Sequence, residues 1–198
     1  MKHTLKLALA SLLLACSSLA SAAIYHVDVD TSSMSGQGGF VGFGLNGTGA
    51  PFVSAIISQF FGASLGAIDA EGTFNVFGDL SSSLKLDSHD LNQLTQGVVF
   101  GNKLQFDVEF TADQDLSTSG TSFAFTLLDK SFAALLGNDP SGIVVQAEFT
   151  PGAALNFSSN TAAAAITPVP EPETYALMGL GLLGLAMRRK RGVFARVS

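Results

Sequence analysis

The chain has 198 residues, a formal net charge of −6, a single cysteine, no tryptophan and sixteen phenylalanines. Its length fits one domain once targeting segments are set aside. Between Ala23 and Pro170 three lysines stand against fourteen acidic residues, a net charge of −11, which repels nucleic acid and anionic lipid and argues against a nucleic-acid partner.

The first stretch, MKHTLKLALASLLLACSSLASAA, has the three parts of a secretory signal. Lys2 and Lys6 give the positive n-region and Leu7 to Ala15 the apolar h-region, which is too short to span a membrane. Ala20-Ser21-Ala22 offers the small residues a signal peptidase accepts, so residues 1–22 are read as a signal peptide cut before Ala23. One alternative lies inside it: Leu13-Leu14-Ala15-Cys16 resembles a bacterial lipobox, in which Cys16 would be lipidated. Cleavage after Ala22 removes the only cysteine, leaving a domain without a disulfide, a thiol nucleophile or a Cys metal ligand.

Residues 23–160 read as strands. YHVDVDT sets Tyr25, Val27 and Val29 against His26, Asp28 and Asp30, the alternation of a strand with one buried and one wet face. GGFVGFGLNG, FVSAIISQF and GTFNVFGDL are predicted as strands of less regular pattern. KLQFDVEFT alternates strictly, and SFAFTLLD and GIVVQAEFT repeat the pattern. Turn-rich clusters separate them: DTSSMSGQGG, NGTGAP, ADQDLSTSGTS and GNDPSG. Ser88 to Gln96 and Lys130 to Leu136 carry an alternative reading as short helices. TAAAAITPVP reads as a last strand running into a linker, placed at 161–168. The fold class predicted is all-β, an antiparallel β-sandwich of jelly-roll type, with a core of rings that need no polar partner.

Chemistry-bearing residues are sparse. His26 lies on the polar face of the first strand, where a solvated outer-face residue is the plainer reading. His89 in LDSHD has Asp87 and Asp90 beside it, yet a metal site wants three or four converging ligands, so a capped helix start or a solvated loop is preferred. Asp113 and Asp115 alternate as in a calcium loop, but the glycine and glutamate of an EF-hand are missing. Asp28 and Asp30 share a strand face, whereas paired glycosidase carboxylates must stand across a cleft. GFGLNG and GLGLLG match the glycine spacing of dinucleotide loops without the βαβ setting that gives it meaning. No cofactor is expected, and no enzyme activity.

The C-terminal segment is more informative. Val169-Pro170-Glu171-Pro172 is a stiff, extended stretch, because each proline fixes its own φ and biases its predecessor. Tyr175 to Met187 is uncharged and would form a helix of ~20 Å, short against a hydrocarbon core of ~30 Å. Arg188, Arg189, Lys190 and Arg191 would hold that end in the cytoplasm and leave the domain outside. An extended backbone is what a protease or transpeptidase cleft binds, so residues 169–191 read as a cleavable retention signal, with residues 192–198 a tail.

Pro170-Glu171-Pro172, then Glu173-Thr174, then an apolar segment with Leu177, Gly179, Leu180 and Leu183, then the basic cluster, resembles the PEP-CTERM sorting signal of Gram-negative bacteria. That resemblance implies recognition by an exosortase, a membrane transpeptidase, after transient anchoring in the inner membrane. The tail GVFARVS departs from the pattern, since such proteins usually stop soon after the basic cluster. VDVDTSSMSGQGGFVGF, VVFGNKLQFDVEF and SGTSFAFTLLD further resemble a set of PEP-CTERM proteins without an established activity. As a class these accompany exopolysaccharide production. The resemblance therefore implies an exported, non-enzymatic surface or biofilm-matrix protein. The alternatives are a polysaccharide- or calcium-dependent binding module, and a membrane-anchored or lipidated surface protein.

Overall fold

The computed structural model describes residues 23–47, 53–112, 120–136, 140–150 and 154–170, with Gly179 and Gly181. Ten strands follow in chain order: β1 (Ala23–Asp30), β2 (Gly38–Gly47), β3 (Val53–Ile68), β4 (Phe77–Gly78), β5 (Ser83–Asp87), β6 (Asn92–Ala112), β7 (Thr121–Asp129), β8 (Ile143–Phe149), β9 (Asn156–Ser159) and β10 (Ala164–Val169). A 3-10 turn, Ser32–Met34, links β1 to β2. The strict alternation of KLQFDVEFT becomes the second half of β6, with Leu104, Phe106, Val108 and Phe110 buried.

All ten strands belong to one antiparallel sheet organised around β6. On one edge β6 pairs with β3, from Val53↔Ala112 to Ile68↔Gln96. Its other edge is divided. The first half takes β2, Gly38↔Val99 to Leu45↔Asn92, and the second half takes β1, Ala23↔Phe110 to Asp30↔Lys103. The sheet therefore forks. One branch continues from β2 through β7 and β8 to β9; the other carries β1 and β10, with β5 and β4 added beyond the first half of β3.

The branches face each other and make the sandwich. Phe43 of β2 meets Phe106 of β6 edge-on with centroids 5.1 Å apart, and Phe106 lies 4.8 Å from Phe125 of β7. Phe110 packs against Phe123 at 5.2 Å and Phe149 at 5.1 Å. Edge-to-face pairs of this kind match ring edge to ring face and add to the burial itself. A core of Phe, Val and Leu asks for no buried hydrogen-bond partners.

The fold over depends on a close backbone approach. The β3–β6 register shifts between Ser58 and Phe61 and again between Phe61 and Ala63. Gly62 has φ +100, and a Cβ there would lie 1.8 Å from the Lys103 carbonyl oxygen. A Cβ on Gly101 would in turn lie 2.3 Å from the Gly62 oxygen. Bulges bend a strand and increase its twist, and only glycine allows two backbones to come this near.

Three readings are corrected. The helix alternative over Ser88 to Gln96 fails because Asn92 already opens β6 and pairs with Leu45. That over Lys130 to Leu136 fails because the Asp129 carboxylate accepts the N–H groups of Ser131 and Ala133, closing a turn. The last strand expected in TAAAAITPVP is β10, but it runs through most of the 161–168 assigned to the linker; β10 pairs with β1, and Ala164 and Ile166 pack on the core. GTFNVFGDL gives only the two-residue β4 and a bridge from Phe74 to Gln93.

Gly62→Ala is expected to cost at least about 1–3 kcal/mol from backbone strain alone. Phe106→Ala should cost about 3–5 kcal/mol by leaving a cavity among the rings. Urea denaturation of each variant against the parent chain checks both.

Candidate functional site

The densest polar arrangement lies on the wet face of the β1–β6 branch. Cross-strand register sets His26 opposite Asp107 and Asp28 opposite Gln105. His26 Nδ1 lies 2.6 Å from Asp107 Oδ1, and Gln105 Nε2 lies 3.2 Å from His26 Nε2. The same Gln105 nitrogen donates to Asp28 Oδ2 at 3.3 Å, and Lys103 forms an ion pair with Asp28. The His26 and Asp107 side chains are partly exposed, at 37% and 28%. The row is a solvent-facing chain of charge-assisted hydrogen bonds. Phe61 of β3 pairs with Gln105 and leaves its ring 73% exposed on the same face.

The other candidates do not converge. Asp30 accepts the Ser32 N–H at 2.9 Å, and the Ser32 hydroxyl together with that N–H holds its pKa below the ordinary carboxylate value. His89 sits in the turn before β6, its Nδ1 and its backbone N–H each 3.2 Å from Asp87 Oδ1. The GFGLNG glycines form part of β2, Gly42 and Gly44 paired on both edges and Gly47 with Thr121, which is strand and not a phosphate-cradling turn. Asp113 and Asp115 lie outside the described residues. Among the described residues no three His, Cys, Asp or Glu side chains group as a metal site.

Asp79 and Asp129 share the arrangement of Asp30. Asp79 Oδ1 accepts from the Ser81 and Ser82 N–H groups and hydroxyls, and Asp129 Oδ1 from the Ser131 N–H and hydroxyl and the Ala133 N–H. The serine side-chain bond is the largest influence in each, and both carboxyls are held below their ordinary pKa. These three are turn-forming acids.

Composition gave no hint of Lys103, Gln105 and Asp107 as the partners of His26. Only their place on the wet face of KLQFDVEFT could have suggested them, and the pairing register was needed to bring them together.

At the other end of the chain, β10 carries the sequence to Val169 and leaves Pro170 exposed. Gly179 and Gly181 have helical backbone. Among the described residues no helix is long and apolar enough to cross a membrane. Cys16, Ala20, Ala22, Glu171, Pro172, Thr174, Tyr175, Leu177, Leu180, Leu183, Met187 and the basic cluster lie outside them.

Residues 168–191 match the family model of the PEP-CTERM protein-sorting motif. No curated protein and no solved structure matches the chain.

The folded pKa values of Asp30, Asp79 and Asp129 lie below their unfolded value of about 3.9. Their contribution is therefore complete above that pH and lost as pH falls through the lower folded values. A variant with all three changed to Asn is expected to show a flatter decline of melting temperature below about pH 4 than the parent. His26→Asn, which removes a solvent-facing pair, should change stability by about 1 kcal/mol or less by urea denaturation.

Proposed function

We propose, from the premise that this is a PEP-CTERM protein, that the sandwich is the cargo of an exosortase and ends as a non-enzymatic component of the cell surface or extracellular matrix. The observation that carries the reading is the sorting motif at residues 168–191, which begins within the last strand. The motif marks an exported protein sorted to the cell surface. The rest follows from the chemistry of the domain.

In this reading signal peptidase cuts after Ala22, which leaves β1 whole because that strand begins at Ala23. Tyr175 to Met187 then holds the chain in the inner membrane, with Arg188 to Arg191 on the cytoplasmic side. The Pro-Glu-Pro segment presents an extended backbone to the exosortase. The domain reaches the outside without cysteine, stabilised by its ring-filled core. Its acidic surface keeps it solvated.

A second reading, a polysaccharide-binding module, is favoured by one observation. The wet face of β1 and β6 sets the exposed Phe61 ring beside Gln105, with His26, Asp28 and Asp107 alongside. An aromatic face with planar polar groups around it is suited to sugar rings.

Replacing Pro170, Glu171 and Pro172 together with alanine is expected to move the protein from the extracellular fraction to the inner-membrane fraction of its native host. Unchanged release into the medium would contradict sorting through this motif.

A further inference from the structure

Building on the reading of residues 168–191 as a signal cut outside the membrane, we propose that β10 is a releasable strap whose unpairing from β1 gives the exosortase access to that signal. The motif begins at residue 168, whereas β10 runs from Ala164 to Val169, so strand and signal overlap by two residues.

The Asp30 N–H donates to the Ala163 carbonyl at 2.8 Å, joining the last residue of β1 to the residue before β10. Because β10 pairs with β1, it must run back along that strand toward Ala23. Counted from that bond, Ala164 comes level with Val29, Ile166 with Val27, and Thr167 with His26. The side chains agree with this register: Ala164 and Ile166 pack on the core, where Val27 and Val29 are buried.

Reach is what limits the enzyme. Between Val169 and the apolar segment that opens at Tyr175 lie five residues, Pro170 to Thr174. Whatever their conformation, they span at most ~18 Å. The headgroup layer takes ~5–8 Å of that, which leaves on the order of 10 Å between the end of β10 and the membrane surface. A single α-helix is already ~10–12 Å across. A cleft that holds extended substrate between two walls does not fit in that gap. Releasing the six residues of β10 adds ~20 Å of extended chain.

β10 is also a strand that opens readily. Among the described residues it pairs on one side only. None of its six residues is buried, and its core contacts are those of Ala164 and Ile166, both partly exposed. Segments with so few buried apolar contacts open at low free energy. Its two ends differ. The turn leading into it is tied down, with the Asn160 N–H on the Val144 carbonyl at 2.8 Å and the Ala163 N–H on the Thr161 hydroxyl at 3.2 Å. Thr167, Pro168 and Val169 at the other end are exposed. Peeling therefore starts at the signal and stops at the turn. The sandwich survives it, since β1 keeps its pairing with β6 from Ala23↔Phe110 to Asp30↔Lys103.

The test locks the strap in the full chain. In a Cys16→Ser background, Val27→Cys with Ile166→Cys sets two thiols at facing, non-hydrogen-bonded positions, the closer kind of cross-strand pair. In the native host the oxidised variant should collect in the inner-membrane fraction. Its release to the medium should be at least about tenfold slower than the parent's, because only the open fraction engages the enzyme. Added reductant should restore release. A six-residue Gly-Ser insertion between Thr167 and Pro168 should restore it too, with the bridge intact, by supplying the missing reach. Rescue by the insertion separates lost reach from misfolding. Release of the oxidised variant at the parent rate would overturn the proposal, as would retention that neither reductant nor insertion relieves. Absence of the bridge in the exported protein would overturn the register on which the strap depends. The sorting reading fails by a different result: normal release of the chain with Pro170, Glu171 and Pro172 changed to alanine, whatever the bridge does.

Discussion

The contact on which the sandwich depends is between two backbones, where β3 crosses the middle of β6. Gly62 approaches the Lys103 carbonyl and Gly101 approaches that of Gly62, and neither position has room for a Cβ. That approach lets a single sheet bend sharply enough for its branches to meet. From it follow the facing of Phe43 and Phe125 against Phe106, the outward turn of Phe61, and the separation of two wet faces. β6 supplies the rest of the constraint. It is long enough, at 21 residues, to serve β2 with one half and β1 with the other. No second sheet is needed.

Much of this was legible in the sequence because alternation reports directly on a strand with one buried face. Val27 and Val29 in β1, the four buried residues from Leu104 to Phe110 in β6, and Phe123, Phe125 and Leu127 in β7 were assigned to the core from spacing alone, and all are buried. What spacing could not show was pairing. In Ser88 to Gln96, where Asp90, Leu91 and Leu94 suit a helical turn, Asn92 to Gln96 are strand because β2 lies beside them. KSFAALL turns back because one carboxylate, Asp129, collects the local N–H groups. The last alanines and Ile166 read as a strand running into a linker; the strand continues to Val169, and Ala164 and Ile166 pack on the core. The His26 row was hidden for the same reason. Its two strands contribute hydrogen-bonded residues 77 to 81 apart in sequence that meet only through register, and the exposure of Phe61 depends on a bulge that composition does not announce.

The domain and the sorting motif make complementary physical demands. A chain that crosses a membrane and then stands alone outside it, without a disulfide in residues 23–170, must be held by packing and by local turns. The Phe core meets the first requirement. The Asp30, Asp79 and Asp129 turns meet the second, each closed by a carboxylate that stays ionised in the folded state at ordinary pH. The motif begins at residue 168, within β10, so the folded part of the chain extends to the start of the signal.

The measurement closest to the central claim is the intact mass of the protein recovered from its native host, with membrane and extracellular fractions weighed separately. Sorting through residues 168–191 predicts an extracellular species that begins at Ala23 and ends near Pro170 to Pro172, with any added mass identifying what the new end is joined to. A protein found only in the membrane fraction and still carrying Arg188 to Ser198 would contradict it.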